Sequence, residues 1–196
     1  MQASSRWFPR GTVKDEPRLT LGVVGQRSMT VEESLRSGVV AAFSHVRAAF
    51  PQDRLRLLCS LAEGADRLTT KVLLEGQNVS LWVPLPVPQE EYIRDFATMR
   101  SKEEFLELLG RAARVVNVRM TGGRDQAYLD AGRYILDHSD VLLTVWDGRP
   151  ALRLGDTGEI VKEARQRKLP IAWVHTRNGA PHRAAGEVSF ENFPME

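Results

Sequence analysis

Cysteine is almost absent from this chain of 196 residues, which has a single thiol at Cys59. One cysteine excludes an internal disulfide. Cys59 follows two leucines in an apolar run, a setting that favours a buried structural thiol over a nucleophile. The four histidines (His45, His138, His175 and His182) are scattered and lack the spacing of metal ligands. We therefore expect no metal site and no cofactor.

Long apolar runs are also missing. No segment approaches the roughly eighteen uninterrupted apolar residues that a membrane helix requires. Residues 1–18 are polar, carry Pro9, Gly11 and Pro17, and lack the apolar core of a signal peptide. These absences predict a cytoplasmic protein that does not enter the membrane, with residues 1–18 forming a polar N-terminal tail.

Neither sign of charge is in clear excess. The 27 lysines and arginines are nearly balanced by 25 aspartates and glutamates, which gives a formal net charge of +2 with a pI of about 8.9. Both signs are spread along the whole chain, so the sequence shows no basic stripe of the kind that follows a nucleic-acid backbone. Nucleic acid is therefore not the expected partner.

The sequence does contain a regular alternation of strand and helix patterns. The strands are short and apolar on both faces, which is typical of parallel strands covered by helices on both sides. The pattern predicts an α/β fold, with a doubly wound, mostly parallel Rossmann-like sheet over residues 19–175 and a polar C-terminal tail over residues 176–196. Strands are predicted at residues 19–24, 55–59, 79–83, 114–118, 141–146 and 171–174, and helical segments at 31–49, 60–76, 90–96, 103–109, 125–137 and 159–167.

Glycines and polar residues follow the first two predicted strands, where ligands bind in doubly wound folds. Gly25 allows a ligand to approach the backbone closely, and Arg27 can pair with an oxyanion. Ser60 and Glu63 have the spacing of a capping box, as Thr30 and Glu33 have before the first helix. A tight turn with a solvated arginine, and close helix packing at Gly64, are the structural alternatives to ligand contact. The candidate ligand contacts here are Gly25, Arg27, Ser60, Gly64 and Asp66.

A richer set of glycines follows the fifth predicted strand. Asp147 and Gly148 leave the strand, and Gly155, Thr157 and Gly158 stand at the start of the next helix. Glycines, a hydroxyl and unpaired N–H groups at a helix N-terminus form an anion site of the kind that holds phosphate. The Asp147 carboxylate can accept a hydrogen bond from a sugar hydroxyl or can cap a turn. All five residues are candidate ligand contacts.

Two further candidates lie on the predicted helix at residues 125–137 and at its start. Arg124 and Tyr128 are four residues apart and therefore share one helix face. That face can present a cation and an aromatic ring to a ligand. A solvated arginine beside a packed tyrosine is the alternative interpretation.

These segments, taken together and in this order, resemble the SLOG superfamily. The similarity rests on GVVGQR, SLAEGADRL, VPLP followed by Tyr92 and Asp95, the RDQAY segment, and WDG followed by GDTGEIV. The superfamily comprises Rossmann-like domains related to the Lonely-guy phosphoribohydrolases, the TRPM N-terminal domain and DprA. The resemblance covers about residues 19–175. It implies a site for a nucleotide or a nucleotide-derived small molecule, with the phosphate at the glycine-rich helix start, and a homo-oligomer that completes the pocket.

The resemblance also implies two kinds of activity. Hydrolases of the superfamily share PGGxGTxxE, but here the second glycine is Asp156 and Lys162 stands where the catalytic glutamate belongs. We therefore expect a sensor or adaptor that binds a nucleotide-derived ligand, as in bacterial stress or antiphage signalling. A nucleoside 5′-monophosphate phosphoribohydrolase is the alternative, with Glu159, Glu163 and Arg124 as candidate catalytic residues. DprA-like binding of nucleic acid is a third.

Overall fold

The computed structural model describes residues 19–29, 33–51, 54–176 and 184–194. This part of the chain forms one seven-stranded sheet and six helices. A 3-10 turn at Ile93–Asp95 follows the third helix. The strands are β1 (Leu19–Gly25), β2 (Leu55–Cys59), β3 (Val79–Leu85), β4 (Arg114–Asn117), β5 (Val141–Trp146), β6 (Ile171–His175) and β7 (Val188–Glu191), and the helices are α1 (Glu33–Ala49), α2 (Ala65–Leu74), α3 (Gln89–Tyr92), α4 (Met99–Gly110), α5 (Arg124–Asp137) and α6 (Thr157–Gln166).

The strand order places a change of direction at the centre of the sheet. The order is β4-β3-β2-β1-β5-β6-β7, and all pairs are parallel except β6 with β7. From β1 the chain first builds the sheet outward through β4, then returns to place β5 on the other side of β1. In open α/β sheets the crevice at such a switch point is where ligands bind.

Helices cover both faces of the sheet, and each face has its own hydrophobic core. Helices α1, α2 and α4 pack on one side, where Leu21, Val23 and Leu57 point. Helices α5 and α6 pack on the other side against Leu58 and Leu142. All six residues of β5 are buried, as expected for a strand covered on both faces. The predicted α/β, mostly parallel Rossmann-like fold is confirmed.

The largest differences between the sequence interpretation and the structure lie at two elements. Helix α2 begins at Ala65 with Gly64 at the N-cap position, so the predicted helix start at Ser60 was wrong. The Ser60 hydroxyl instead donates a hydrogen bond of 2.7 Å to the carbonyl oxygen of Pro84. Strand β7 was not predicted, because its residues lie in a polar stretch and pair only with β6. The predicted cap at Thr30 and the tail at residues 1–18 lie outside the described residues.

The environment of the thiol agrees with the sequence interpretation. Cys59 is fully buried, and burial raises the pKa of its thiol well above the ordinary value. A thiol in this state is a poor nucleophile at neutral pH.

None of the helices in the described ranges has both the length and the apolar character needed to cross a bilayer.

Candidate functional site

A cavity of about 740 Å³ opens at the carboxyl ends of β1, β2 and β5, the switch point of the sheet. This volume is in the range of small-molecule sites. We call this cavity the crevice. Of the twelve residues predicted to contact a ligand, nine line it: Gly25, Arg27, Ser60, Asp66, Tyr128, Asp147, Gly155, Thr157 and Gly158. The other three, Gly64, Arg124 and Gly148, do not line it.

The glycine at the end of β1 is required by packing within the protein. A Cβ atom on Gly25 would lie 2.4 Å from the Cβ of Ala65 and 2.9 Å from the carbonyl oxygen of Val145. Both distances are shorter than the normal separation of non-bonded atoms, so a side chain at this position would force its neighbours to move. The tip of β1 therefore lies tightly between α2 and β5, which brings the next residues, Gln26 and Arg27, to the crevice.

Gly64 has a structural role just outside the crevice. Its φ of 81° belongs to the region that side chains disfavour, and an added Cβ would lie 2.3 Å from the carbonyl oxygen of Arg27. The next residue, Ala65, donates its N–H to the carbonyl oxygen of Gln26 at 3.0 Å. Gly64 thus lets the start of α2 support the backbone that carries Arg27.

Asp66 and Tyr92 form the most deeply buried polar part of the crevice. Asp66 is 5% exposed, Tyr92 is 0% exposed, and both line the cavity. Burial raises the pKa of the Asp66 carboxyl to about 7, although a backbone hydrogen bond from Ala62 and the charge of Arg27 act in the opposite direction. Burial also raises the pKa of Tyr92. The Tyr92 hydroxyl has no hydrogen-bond partner among the described residues.

A cation and an aromatic ring meet at one wall of the crevice. The Arg27 guanidinium carbon lies 4.4 Å from the centroid of the Tyr128 ring. The Tyr128 hydroxyl donates a hydrogen bond to Asp95, which also pairs with Arg124 at 2.5 Å. Arg124 and Tyr128 therefore share Asp95 as a partner. Only Tyr128 reaches the cavity, because Arg124 is held by Asp95 and by the Glu91 carbonyl oxygen.

The aspartate after β5 organises the other side of the crevice. Asp147 is buried and accepts hydrogen bonds from the Gln26 side-chain amide at 2.9 Å and from the Arg149 N–H at 3.0 Å. The Thr176 hydroxyl completes this network by donating to Gln26 at 3.3 Å. Gly148 faces away, against the ring of Trp173. Asp147 thus fixes the loop that follows β5.

That loop, at residues 149–155, lies against the start of α6. A Cβ atom on Gly158 would lie 2.7 Å from the carbonyl oxygen of Arg149, so the loop passes directly over this helical turn. Asp156 accepts hydrogen bonds from the N–H groups of Leu152 and Arg153 at 3.0 and 2.9 Å. Its side chain makes no capping hydrogen bond to α6. The carboxylate thus holds the loop, and Asp156, Thr157 and Gly158 all line the crevice.

The two candidate catalytic glutamates do not line the crevice. Glu159 accepts a hydrogen bond of 2.9 Å from the N–H of Gly155 and so holds the end of the loop at residues 149–155. Glu163 pairs with Arg133 at 3.0 Å and with Arg167 at 2.5 Å. Burial of Glu163 opposes its ionisation, but these hydrogen bonds outweigh it and lower the pKa of the carboxyl. A lowered pKa is the opposite of what a general acid at neutral pH requires.

Gln26 and Tyr92 line the crevice but were not among the predicted ligand contacts. Gln26 stands between two chosen residues, Gly25 and Arg27, but an amide side chain carries no distinctive signal. Tyr92 follows the proline-rich segment after β3, and α3 brings it to the crevice. Among the described residues, no group of three or more His, Cys, Asp or Glu side chains is placed to hold a metal ion.

No protein-family model and no curated protein matches the sequence. Among solved structures, the chain is similar to DNA processing protein A (DprA) from Streptococcus pneumoniae, with a TM-score of 0.53 and 12% sequence identity. The similarity covers 81% of this chain and 50% of that chain, so this chain spans about half the length of that protein. At this identity the likeness shows the fold alone. It supports the Rossmann-like fold.

Proposed function

We propose that the chain is a SLOG-type domain that binds a nucleotide or nucleotide-derived ligand in the crevice and acts as a sensor or adaptor. The observation that carries this proposal is the pairing of two features in one cavity at the switch point. One end holds a helix N-terminus with glycines and a hydroxyl, and one wall holds a cation on an aromatic ring. A phosphate and a flat heterocycle are the groups that these two features suit.

The start of α6 supports the anion end of the proposal. Helix α6 has ten residues and begins at Thr157. Its free N-terminal N–H groups and the positive end of its dipole therefore lie at Thr157 and Gly158, which line the crevice. A carboxylate at this place would repel a phosphate. The Asp156 carboxylate lines the crevice, but it accepts hydrogen bonds from the N–H groups of residues 152 and 153, which offset part of its charge.

The wall formed by Arg27 and Tyr128 supports recognition of the rest of the ligand. Arg27 is solvent-exposed, so its guanidinium can pair with a phosphate oxygen without breaking a buried ion pair. Tyr128 is half-buried and held at its hydroxyl by Asp95, which fixes the ring. The Arg27 guanidinium lies over this ring, and a planar cation supported by an aromatic ring is a surface on which a base can stack.

Cleavage of the base from ribose 5-phosphate is the second candidate function. Asp66 is the observation that favours it, because a buried carboxyl with a pKa of about 7 in a crevice can act as an acid or a base. Glu159 and Glu163 contribute less to this alternative. The Glu159 carboxylate binds the Gly155 N–H, and the Glu163 carboxylate pairs with two arginines.

Thermal unfolding with AMP, ADP-ribose and cyclic nucleotides tests the binding proposal. A ligand at a hundred times its Kd adds about 2.7 kcal/mol to the unfolding free energy, so at least one of these nucleotides is expected to raise the Tm. Arg27→Ala should remove most of that increase. Arg111→Ala is the matched control, because Arg111 contacts the Leu74 carbonyl oxygen and does not line the crevice.

No increase with any nucleotide, or an equal increase in Arg27→Ala, would overturn the proposal. Chromatography of the same samples separates the two candidate functions. Intact nucleotide is expected from a sensor. Free base that appears with wild type and disappears with Asp66→Asn would instead identify a hydrolase.

A further inference from the structure

One face of the sheet is open at its outer strands, away from the crevice. Helices α5 and α6 pack on this face against β1, β3 and β5, and neither packs extensively on β4. The residues of β4 are exposed or half-buried, whereas all six residues of β5 are buried. Parallel strands are usually covered on both faces. The open area beside α5 is therefore a surface on which a partner can lie.

Two arginines and a tryptophan stand on this open face. Trp82 of β3 packs partly against the core under α5, and it lies opposite Arg114 of β4 in the strand register. Arg56 of β2 lies opposite Ser80, two residues before Trp82 on β3. The guanidinium carbons of Arg56 and Arg114 lie 3.8 and 4.7 Å from the centroid of the Trp82 ring. We call Arg56, Ser80, Trp82 and Arg114 the arginine–tryptophan patch.

The patch offers hydrogen-bond donors but no acid to receive them. Among the described residues, neither Arg56 nor Arg114 has an ion pair or a hydrogen-bonded side-chain partner, and the Arg56 Nε atom is buried without one. Thr20 is the register neighbour of Arg56 on β1, and its N–H holds the Asp140 carboxylate at 2.7 Å. Stacking on the indole thus positions both cations and leaves their N–H groups to a partner from outside the chain.

We propose that the arginine–tryptophan patch docks an acidic segment of a partner protein, whose carboxylates pair with Arg56 and Arg114. Charge complementarity carries the inference, because the patch presents two cations with no acid of its own. A carboxylate accepts two parallel hydrogen bonds from one guanidinium. Because one ring holds both arginines, they lose less freedom when a partner binds. The docking site is separate from the crevice, which none of the four patch residues lines.

A nucleic-acid strand fits this patch less well than an acidic segment. A strand is held by a row of cations along successive phosphates, and its bases stack on free aromatic faces. The patch has two cations, and both already lie against its one aromatic ring. Two carboxylates on a short segment match it without further basic residues.

Fluorescence anisotropy of the full chain with a labelled peptide of alternating glutamate and serine tests the inference. The same peptide with glutamine in place of glutamate is the matched probe. The glutamate peptide should bind, more weakly as salt is added, and the glutamine peptide should not. Arg114→Gln changes an exposed side chain and should weaken binding about fivefold. Arg100→Gln is the control, because it removes the same charge from an exposed position on α4, on the other face of the sheet. It should change binding by less than about twofold.

The indole N–H resonance of Trp82 locates the bound peptide by NMR. Trp82→Phe identifies that resonance, which should shift with the glutamate peptide and stay in place with the glutamine peptide. The Trp173 indole N–H is the internal reference, since it donates to the Trp146 carbonyl oxygen under α6, and it should not shift.

Three results would overturn the docking site. The first is equal binding of the two peptides or no binding of either, and the second is an equal effect of Arg114→Gln and Arg100→Gln or an unmoved Trp82 resonance. The third is an oligodeoxythymidylate that binds more tightly than the glutamate peptide and depends on Arg114, which would identify a nucleic-acid surface instead. None of these results changes the proposal for the crevice, which the nucleotide titrations of Arg27→Ala test separately.

Discussion

Gly64 shows how a single residue can shape the crevice without touching it. Its φ of 81° and its contact with the carbonyl oxygens of Gln26 and Arg27 leave no space for a side chain. The sequence left two interpretations of this glycine open, ligand contact and close packing, and the geometry matches close packing. The consequence for function is indirect, because this packing supports the segment that carries Arg27.

We predict that Gly64→Ala destabilises the protein by about 2–4 kcal/mol. The new methyl group would meet backbone oxygens that cannot rotate away, and the backbone angle is itself strained for alanine. Chemical denaturation measures the change. Gly110→Ala is the matched control, because nothing lies within 4 Å of the added Cβ and stability should stay the same or rise by up to about 1 kcal/mol. Equal stability of the two variants would contradict the packing role of Gly64.

At the same scale, the sequence identified residue types better than it identified their roles. Asp66 was selected because it belongs to the SLAEGADRL segment. Its pKa of about 7 depends on complete burial and on the distance to Arg27, which only the folded chain sets. Glu159 was selected from its place in the glycine-rich segment, yet its carboxylate binds the Gly155 N–H. Local spacing does not reveal which partner such a side chain will find.

At the scale of elements, α2 and α4 are joined through one buried arginine. Arg67 is 2% exposed and donates to the carbonyl oxygens of Leu61 and Ser101 at 3.0 and 2.7 Å. It pairs with Glu104 at 3.0 Å, and its guanidinium carbon lies 4.3 Å from the centroid of the Phe96 ring. These contacts fix the helix that carries Asp66 against the segment that follows α3.

We predict that Arg67→Ala lowers the unfolding free energy by about 2–4 kcal/mol, because it removes several buried hydrogen bonds and the packing on Phe96. Glu104 keeps Lys71 as a partner and is a third exposed, so no isolated charge remains buried. Urea denaturation of Arg67→Ala and of the exposed-site control Arg111→Ala gives the comparison. The control should change by less than about 0.5 kcal/mol, and a similarly small change in Arg67→Ala would refute the joining role.

The elements themselves were predictable where their pattern was local. Periodicity and short apolar runs located the strands from β1 to β6 and the helix α5. Strand β7 was not predicted, because its four residues form a strand by pairing with β6 and not through a local sequence pattern. The start of α2 was misplaced because Ser60 looks like a cap, whereas its hydroxyl binds the Pro84 carbonyl oxygen across the sheet.

At the scale of the whole molecule, the strand order gathers the separate signals into one place. Segments that are more than a hundred residues apart in sequence, such as Arg27 and Thr157, line one crevice because β1 and β5 are neighbours. The near-balanced charge of the chain fits this arrangement. The charged side chains that line the crevice are also of both signs, namely Arg27 and Arg149 with Asp66, Asp147 and Asp156.

The most direct test of ligand binding at this switch point is a two-dimensional amide NMR titration of the isotope-labelled chain with AMP. Shift changes should concentrate in residues 25–28 and 155–158, which line the crevice from β1 and from the start of α6. The amides of Val188–Glu191 in β7 lie at the far edge of the sheet and should stay unchanged. Absence of any change at millimolar AMP, or changes confined to residues outside the crevice, would contradict the account.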